Sequence, residues 1–428
     1  MRRILIVGAG QSGLHLAHTL LDHGYETTVI TAQSSTELRT GRPSATQLTM
    51  PRVVAMERAA RLDRWQDEAP RYTGAALSLR APGQPPIEFT GTFDSGYGVS
   101  VDRRTKMADW LEHFEDRGGK VVIHGVTVTD LDYFTRMFDL IIVAVGAGEL
   151  GALFDPDPDR SGGAHEGVLT QALLTGVAPP ENADGQDVIE AISLGPADAA
   201  DGDQLPGGEV FIVPMLCANG PATSVFVKGR PGSALDCSPD LGNRATEQDI
   251  LDALMRRLRD HVPDVAARCE GATLADDRSA NIDRIVPSVR RPVGILPSGG
   301  RVLGMADVVL TSDPISGQGW NNSTLCADAY LNAIKYRGEA PFTEEWMERA
   351  FDGFWEDHGR HAAVFSEMVT GFWEGSAPEH FTELIEAVMA YPEVRDRWIS
   401  GFDRPEDYET WMFDPKKARA YIARFTGA

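Results

Sequence analysis

The sequence predicts an α/β protein: a Rossmann-like nucleotide-binding lobe, a β-sheet lobe set into it, and a helical C-terminal tail. Three observations predict this. Residues 4–13, ILIVGAGQSG, run from an apolar strand through glycines into a helix. The middle of the chain carries short β-prone runs between Gly- and Pro-rich turns. Beyond residue 340, Trp and Phe recur at helical spacings.

Each element follows from local pattern. The helix expected over 13–23 carries Leu14, Ala17 and Leu21 on one face and ends at Gly24, a plausible cap. YETTVIT (25–31) is a second apolar strand, and the short spacing makes a parallel β-α-β unit. Residues 41–58 suggest a loop leading into a helix near 53–65, and 66–101 suggest short antiparallel strands. Segment 107–119 is an amphipathic helix with Met107, Trp110, Leu111 and Phe114 on one face and a glycine stop. LIIVAVG (140–146) is apolar throughout, as a central parallel strand would be. The stretch 155–206 reads as loop-heavy, and 209–228 as two strands joined by a turn at Asn219-Gly220. Residues 247–262 should form a helix, VLGMAD (302–307) a strand end, and the last part of 313–334 a helix. These elements divide the chain into a discontinuous nucleotide-binding domain (1–44, 102–165 and 285–340), a second domain (45–101 and 166–284) and a helical region (341–428).

Hydrophobic residues make up 42% of the 428 and charged residues 24%, ordinary for a globular chain. The formal net charge of −23 argues against binding nucleic acid or an anionic membrane, and the acidic residues are spread as on a solvated surface. Cys217, Cys237, Cys269 and Cys326 form no CxxC pair and no zinc-like spacing, which suits a reducing compartment. His15, His18 and His23 stand apart from cysteines and acids, so no metal is expected. The apolar run after MRR is too short for a signal peptide, and no stretch approaches the ~18–20 apolar residues of a membrane span. A cytoplasmic location is expected.

Chemistry concentrates in two places. In Gly8-x-Gly10-x-x-Gly13, the first glycine permits a tight turn and the second lets backbone approach a pyrophosphate. The third lets helix and strand pack closely, with the helix N-terminus facing the phosphate charge. The second strand ends at Thr31 where a carboxylate usually binds ribose, which implies a looser grip on the adenosine half. About 290 residues after the first motif, the strand ending at Asp307 can hold a ribityl chain. Pro314, Gly317 and Gly319 open a helix whose N–H groups would face developing negative charge. GAGELG (146–151) formally repeats the glycine motif, but Pro156 and Pro158 interrupt any helix after it. The Asp276-Asp277 pair reads as a solvated loop. Trp346, Phe351, Phe354, Trp355, Phe365, Phe372 and Trp373 read as packing residues.

These motifs resemble the oxygenase components of styrene and indole monooxygenases. The resemblance rests on VGAGQSGL (7–14), DRRTKM (102–107), SVRRPVGILPSG (288–299), LGMAD (303–307), DPISGQGWNN (313–322) and the aromatic tail. SATQLTM (44–50) is closer to the indole branch, which shares glutamine at Gln47; the styrene branch has asparagine near Ala45 and histidine near Thr49. The indole branch carries serine and methionine at those two places, so this chain departs from both.

The resemblance implies an FAD-binding domain of the aromatic-hydroxylase type. Its cofactor would be FAD taken up as reduced FADH2 and loosely bound, supplied by a separate NAD(P)H:flavin reductase. Reduced flavin and O2 would form a C4a-hydroperoxide that attacks indole, styrene or another small aromatic, and the chain would work as a homodimer. Gly8, Gly10, Gln11, Ser12, Gly13, Thr31, Arg104, Gly146 and Asp307 would bind FAD. Pro314, Gly317, Gln318, Gly319 and Asn321 would surround its ring. Ala45, Gln47, Thr49 and Gly98 would line the substrate side, with Gln47, Thr49 and Asn321 nearest the chemistry. Four alternatives stand beside this reading: a single-component NADPH-dependent hydroxylase, a flavin oxidase or dehydrogenase, a non-catalytic flavin binder, and a halogenase, whose WxWxIP motif the sequence lacks.

Overall fold

Ile4 to Val7 are sealed from solvent because their strand, Arg3–Val7, is flanked on both sides and covered on both faces. The computed structural model describes residues 2–44, 48–65, 67–146, 148–162, 165–180, 188–196, 205, 207–242, 244–374 and 380–426. Among them the first sheet runs in the order Val293–Ile295, Arg301–Gly304, Leu140–Val143, Arg3–Val7, Glu26–Thr31, Lys120–Ile123. All neighbours are parallel except the outermost pair, Val293–Ile295 with Arg301–Gly304. The connection reverses direction between Arg3–Val7 and Leu140–Val143, and a crevice forms outside the carboxyl ends of such strands. Helix Gln11–Asp22 packs along helix Gln318–Arg337. Helix Arg103–Asp116 buries the expected face, Met107, Trp110, Leu111 and Phe114.

The second sheet is eight-stranded among the described residues. The expected hairpin lies at its centre, Gly208–Cys217 against Gly220–Gly229, turning at Asn219-Gly220. The loop-heavy reading of 155–206 is corrected here. That stretch contains Gly167–Thr175, a strand buried over eight of its nine residues, and Val188–Leu194. Leu, Ala and Gln in the run LTQALL carry little β preference, and the partners on either side make this segment a strand. Strand Gly74–Arg80 pairs antiparallel with Ile87–Thr92, as expected, but parallel with Val188–Leu194.

Alternation gives this sheet two apolar faces. Val210, Ile212, Val225 and Val227 pack against helix Glu247–His261. Phe211, Val213 and Met215 face the other way, toward strand Leu48–Thr49 and the C-terminal helices. The expected helix near 53–65 is shorter, Pro51–Ala59.

Candidate active site

The crevice at the strand ends offers about 680 Å³ to the centre of a water-sized sphere. Its floor is the first glycine turn. Gly8 has φ +121°, and a Cβ there would lie 2.4 Å from the Ala144 carbonyl oxygen. A Cβ on Gly13 would lie 2.2 Å from the Gly8 carbonyl oxygen, so only glycine allows helix and turn to close this tightly. Helix Gln11–Asp22 has no side-chain cap, and Gly10, Gln11 and Ser12 open onto the crevice, so its first N–H groups are free for an anion.

Thr31, Gly146, Asp307, Pro314 and Gly319 line the same space. A Cβ placed on Gly146, Gly148 or Gly319 would meet nothing within 4 Å, so these backbones are open to an approaching ligand. Ala306, a non-glycine residue at φ +55°, reverses the chain just before Asp307. Asp307 and Arg103 are open to the crevice but walled by protein. This desolvation pushes the Asp307 carboxyl up from its ordinary range, and the Arg103 charge opposes the rise. Glycine-floored, flanked by two helix N-termini and bordered by Arg103 and Asp307 among other charged groups, the crevice fits a dinucleotide.

A second, inner chamber begins where the crevice ends. It is bordered by Leu48, Met50, Phe211, Met215 and Phe226, with Pro314, Ile315, Ser316 and Gly317 closing one side. Pro314 belongs to both spaces. The Ser100 hydroxyl borders this chamber, fully buried and with no hydrogen-bond partner among the described residues. An apolar room with one unsatisfied hydroxyl, abutting a dinucleotide crevice, suits an apolar substrate held against a cofactor.

A family model described as "Styrene monooxygenase A putative substrate binding domain" matches residues 146–268, from the crevice-lining Gly146 through the strands that wall the inner chamber. Styrene monooxygenase StyA of Pseudomonas fluorescens is 26% identical over 413 residues, 95% of this chain and 94% of that protein. Styrene monooxygenase StyA of a Pseudomonas sp is 25% identical over 432 residues, 99% and 98% of the two. The chain is similar to these styrene monooxygenases along nearly its whole length. It is an FAD-dependent monooxygenase, and FAD is the dinucleotide the crevice fits. Its fold is shared with the flavin-dependent brominase Bmp2, at a TM-score of 0.67 and 14% identity over 99% of each chain.

Several residues expected around the site face elsewhere. Ala45 and Gln47 lie outside the described residues. Arg104 turns away from the crevice: its guanidinium is buried between Asp102 and Asp276, at 2.7 and 2.8 Å. Asp276 is therefore an ion-pair partner, which corrects its reading as a solvated loop residue. Arg103, one position earlier on the helix, is the arginine that lines the crevice.

Thr49 is on the opposite side of its strand from Leu48 and Met50. Its hydroxyl accepts from Trp320 Nε1 at 3.1 Å and Lys106 Nζ at 3.3 Å, under the crevice and outside the chamber lining. Gly98 sits beneath the Tyr72 ring, where a Cβ would fall 2.3 Å from a ring carbon. Asn321 binds the strand backbone: Nδ2 donates to the Leu48 and Gly317 carbonyls at 3.2 and 2.8 Å, and Oδ1 accepts from Met50 N at 2.9 Å. Gln318 donates to the carbonyls of Ser316 and Phe402. These two amides hold the Pro314 turn and its surroundings in place, while Gly317 borders the chamber and Gly319 the crevice.

Sequence reasoning missed Arg103 and Ser100. The DRRTKM run offered two arginines with no means of telling their directions, and a lone serine in a short strand carries no pattern. Phe365 and Phe372 pack as read, Phe365 in the core and Phe372 against it, and both also border an apolar space. Trp346, Phe351, Phe354 and Trp355 do pack in the core. The residues after Gly146 form a 3₁₀ turn, Leu150–Leu153, where the second glycine motif would need a helix. The four cysteines are buried and unpaired, with burial pushing Cys217 and Cys326 up to about 12. No helix among the described residues is long and apolar enough to cross a membrane.

Proposed function

We propose that this chain is the oxygenase component of a two-component system, which takes reduced FAD from a separate NAD(P)H:flavin reductase and oxidises a small aromatic such as indole or styrene. The observation that carries the proposal is the position of Pro314, which separates the FAD crevice from an apolar chamber by the thickness of one turn. The chemistry that reduced FAD would supply when bound is the two electrons and two protons with which O2 gives one oxygen atom to the substrate's electron-rich π bond and the other to water. Gly8, Gly10, Gln11, Ser12 and Gly13 would hold the pyrophosphate, with Arg103 adding positive charge. Thr31 would border the adenosine half and Asp307 the ribityl chain.

The helix Gln318–Arg337 starts at the Pro314 turn without a side-chain cap, and its N-terminal N–H groups suit negative charge on the pyrimidine end of the reduced ring. The apolar walls of the inner chamber exclude water and hold the substrate against that turn. The working assembly expected is a homodimer with the reductase as a separate partner.

Two polar groups bear on the substrate. Gln47, in the segment leading to the chamber-lining Leu48, can accept from an aromatic N–H. Ser100 presents a hydroxyl with no partner among the described residues. A buried polar group left unsatisfied costs about 1–3 kcal/mol, so an N–H-bearing aromatic such as indole is favoured over styrene.

The test supplies reduced FAD from one unrelated reductase and compares kcat/KM for indole and styrene in wild type, Gln47→Leu and Ser100→Ala. Indole should lead in wild type, and its lead should shrink in at least one variant. NADPH oxidation by the purified chain alone would point instead to a single-component enzyme. Failure to oxygenate either compound with reduced FAD and O2 would overturn the proposal.

A further inference from the structure

The apolar space does not stop at the inner chamber. Leu77, Ala191 and Phe211 project from one face of the eight-stranded sheet, with Ile315 and Phe402 facing them. All five border both the inner chamber and a second, outer chamber. The outer chamber lies between that sheet and the C-terminal helices, where Val369 and Trp398 form part of its wall.

Neither chamber alone, nor the two as they stand together, is large enough for an aromatic substrate, so a side chain of the partition must give way to admit one. The inner one gives about 30 Å³ to the centre of a water-sized sphere and the outer about 80 Å³. A dry apolar cavity that takes benzene measures about 150 Å³. The two are separated by side chains, and the backbone around them is held. Gln318 Nε2 donates to the Phe402 carbonyl at 2.8 Å, fixing that end of the partition to the helix after the Pro314 turn. Phe211 stacks on Phe226 across the hairpin with ring centroids 5.5 Å apart, and Phe402 meets Phe365 edge to face at 4.9 Å. Both partition rings remain half-buried although they stand inside the protein, as rings with free space beside them do.

We propose that Phe211 and Phe402 divide one continuous binding space, and that Phe211 determines how long an aromatic substrate can be. The reacting ring would lie against Pro314, and an apolar substituent or second ring would pass the partition into the outer chamber. The substrate class would then extend to aryl alkenes and indoles carrying a bulky apolar group remote from the reacting bond. This inference rests on the proposed placement of substrate beside Pro314.

The experiment compares 4-vinylbiphenyl with styrene in wild type, Phe211→Ala and Val369→Trp, with reduced FAD from an unrelated reductase. Phe211→Ala should raise the biphenyl-to-styrene ratio of kcat/KM by about tenfold or more, within the range that one contact of this kind commands. Val369→Trp fills the outer chamber from the helix side and should lower the ratio. If Phe211→Ala does not fold, Val369→Trp carries the test alone. Binding is read separately by quenching of tryptophan fluorescence, since Trp398 borders the outer chamber. Tighter 4-vinylbiphenyl binding in Phe211→Ala and weaker binding in Val369→Trp would support the partition even if no compound were turned over, an outcome that would sink the oxygenase proposal alone. An unchanged ratio and unchanged binding in the folded variants would overturn the partition.

Discussion

Lys106 Nζ lies 2.6 Å from Glu57 Oε1, with both side chains sealed from solvent. The ammonium also stands 5.0 Å from the Trp110 ring centroid and 5.1 Å from that of Trp320. Gln11, at the start of the crevice-facing helix, donates to the same Glu57 carboxylate at 2.7 Å, and Lys106 reaches the Thr49 hydroxyl. One buried ion pair thus joins the floor of the FAD crevice to the strand bearing Leu48. Burial lowers the Lys106 pKa, and the Glu57 charge opposes that shift. Lys106→Met would leave a buried carboxylate uncompensated and should destabilise the protein by about 3–5 kcal/mol. Adding Glu57→Gln should recover much of the loss. Urea unfolding of the single and double variants measures both, and a neutral single variant would refute the pairing.

Arg103 and Arg104 are adjacent but should fail in different ways. Arg103→Met removes a positive charge from the crevice and should weaken reduced FAD binding by about tenfold or more, since a hydrogen bond to a charged group contributes about 1.5–3 kcal/mol. Its unfolding midpoint should move little. Arg104→Met strands Asp102, whose side chain is 1% exposed, and should cost about 3–5 kcal/mol of stability. Anaerobic FAD titration beside thermal unfolding separates the two, and the reverse assignment would return Arg104 to the cofactor site.

Gly317 and Gly319 should also part company. Gly317 has φ +65°, so Gly317→Val forces a β-branched residue into the left-handed region at a cost of at least about 1–2 kcal/mol. Gly319 has no such constraint, and a Cβ there projects into open space in the crevice. Gly319→Val should therefore keep its fold and melting temperature while losing reduced FAD binding and oxygenation. Full activity in Gly319→Val with unchanged circular dichroism would place the flavin ring elsewhere.

Stability should fall in mild acid because of two buried histidines. Burial lowers His15 to about 3 and His18 to about 4, against an ordinary value of 6.5. His15 has no partner for either ring nitrogen among the described residues. His18 lies 2.9 Å from both the Trp110 carbonyl and Arg117 Nη1, which suits the neutral ring with Nε2 as donor and Nδ1 as acceptor. Above pH 6.5 both are neutral in either state and the linkage vanishes. Below it the unfolded chain takes up protons that the folded one refuses, so stability falls until the folded values are reached. At pH 5 the loss is about 2 kcal/mol for each histidine. Urea midpoints at pH 7 and pH 5 for wild type and His15→Phe test this, and an equal drop in both proteins would remove His15 from the account.

The local steps were legible in the sequence because each depends on neighbours along the chain. An apolar run, glycines and a helix pattern are enough for the Gly8 turn, and Asn219-Gly220 between β-prone runs is enough for the hairpin. The Met107, Trp110, Leu111 and Phe114 stripe identified a buried helix face before any partner was known. Only tertiary structure decided which way single residues point. Leu48 and Met50 enter the chamber while Thr49 turns to Lys106 and Trp320, a difference of one residue in a strand of period two. Arg103 meets the crevice while Arg104 is drawn to Asp276, 172 residues away in the chain. The strand Gly167–Thr175 exists because neighbours pair with both its edges, and the outer chamber exists because the C-terminal helices close over one sheet face. Periodicity determines which residues share a face; which faces meet, and what space they leave between them, is settled by packing between segments far apart in the chain.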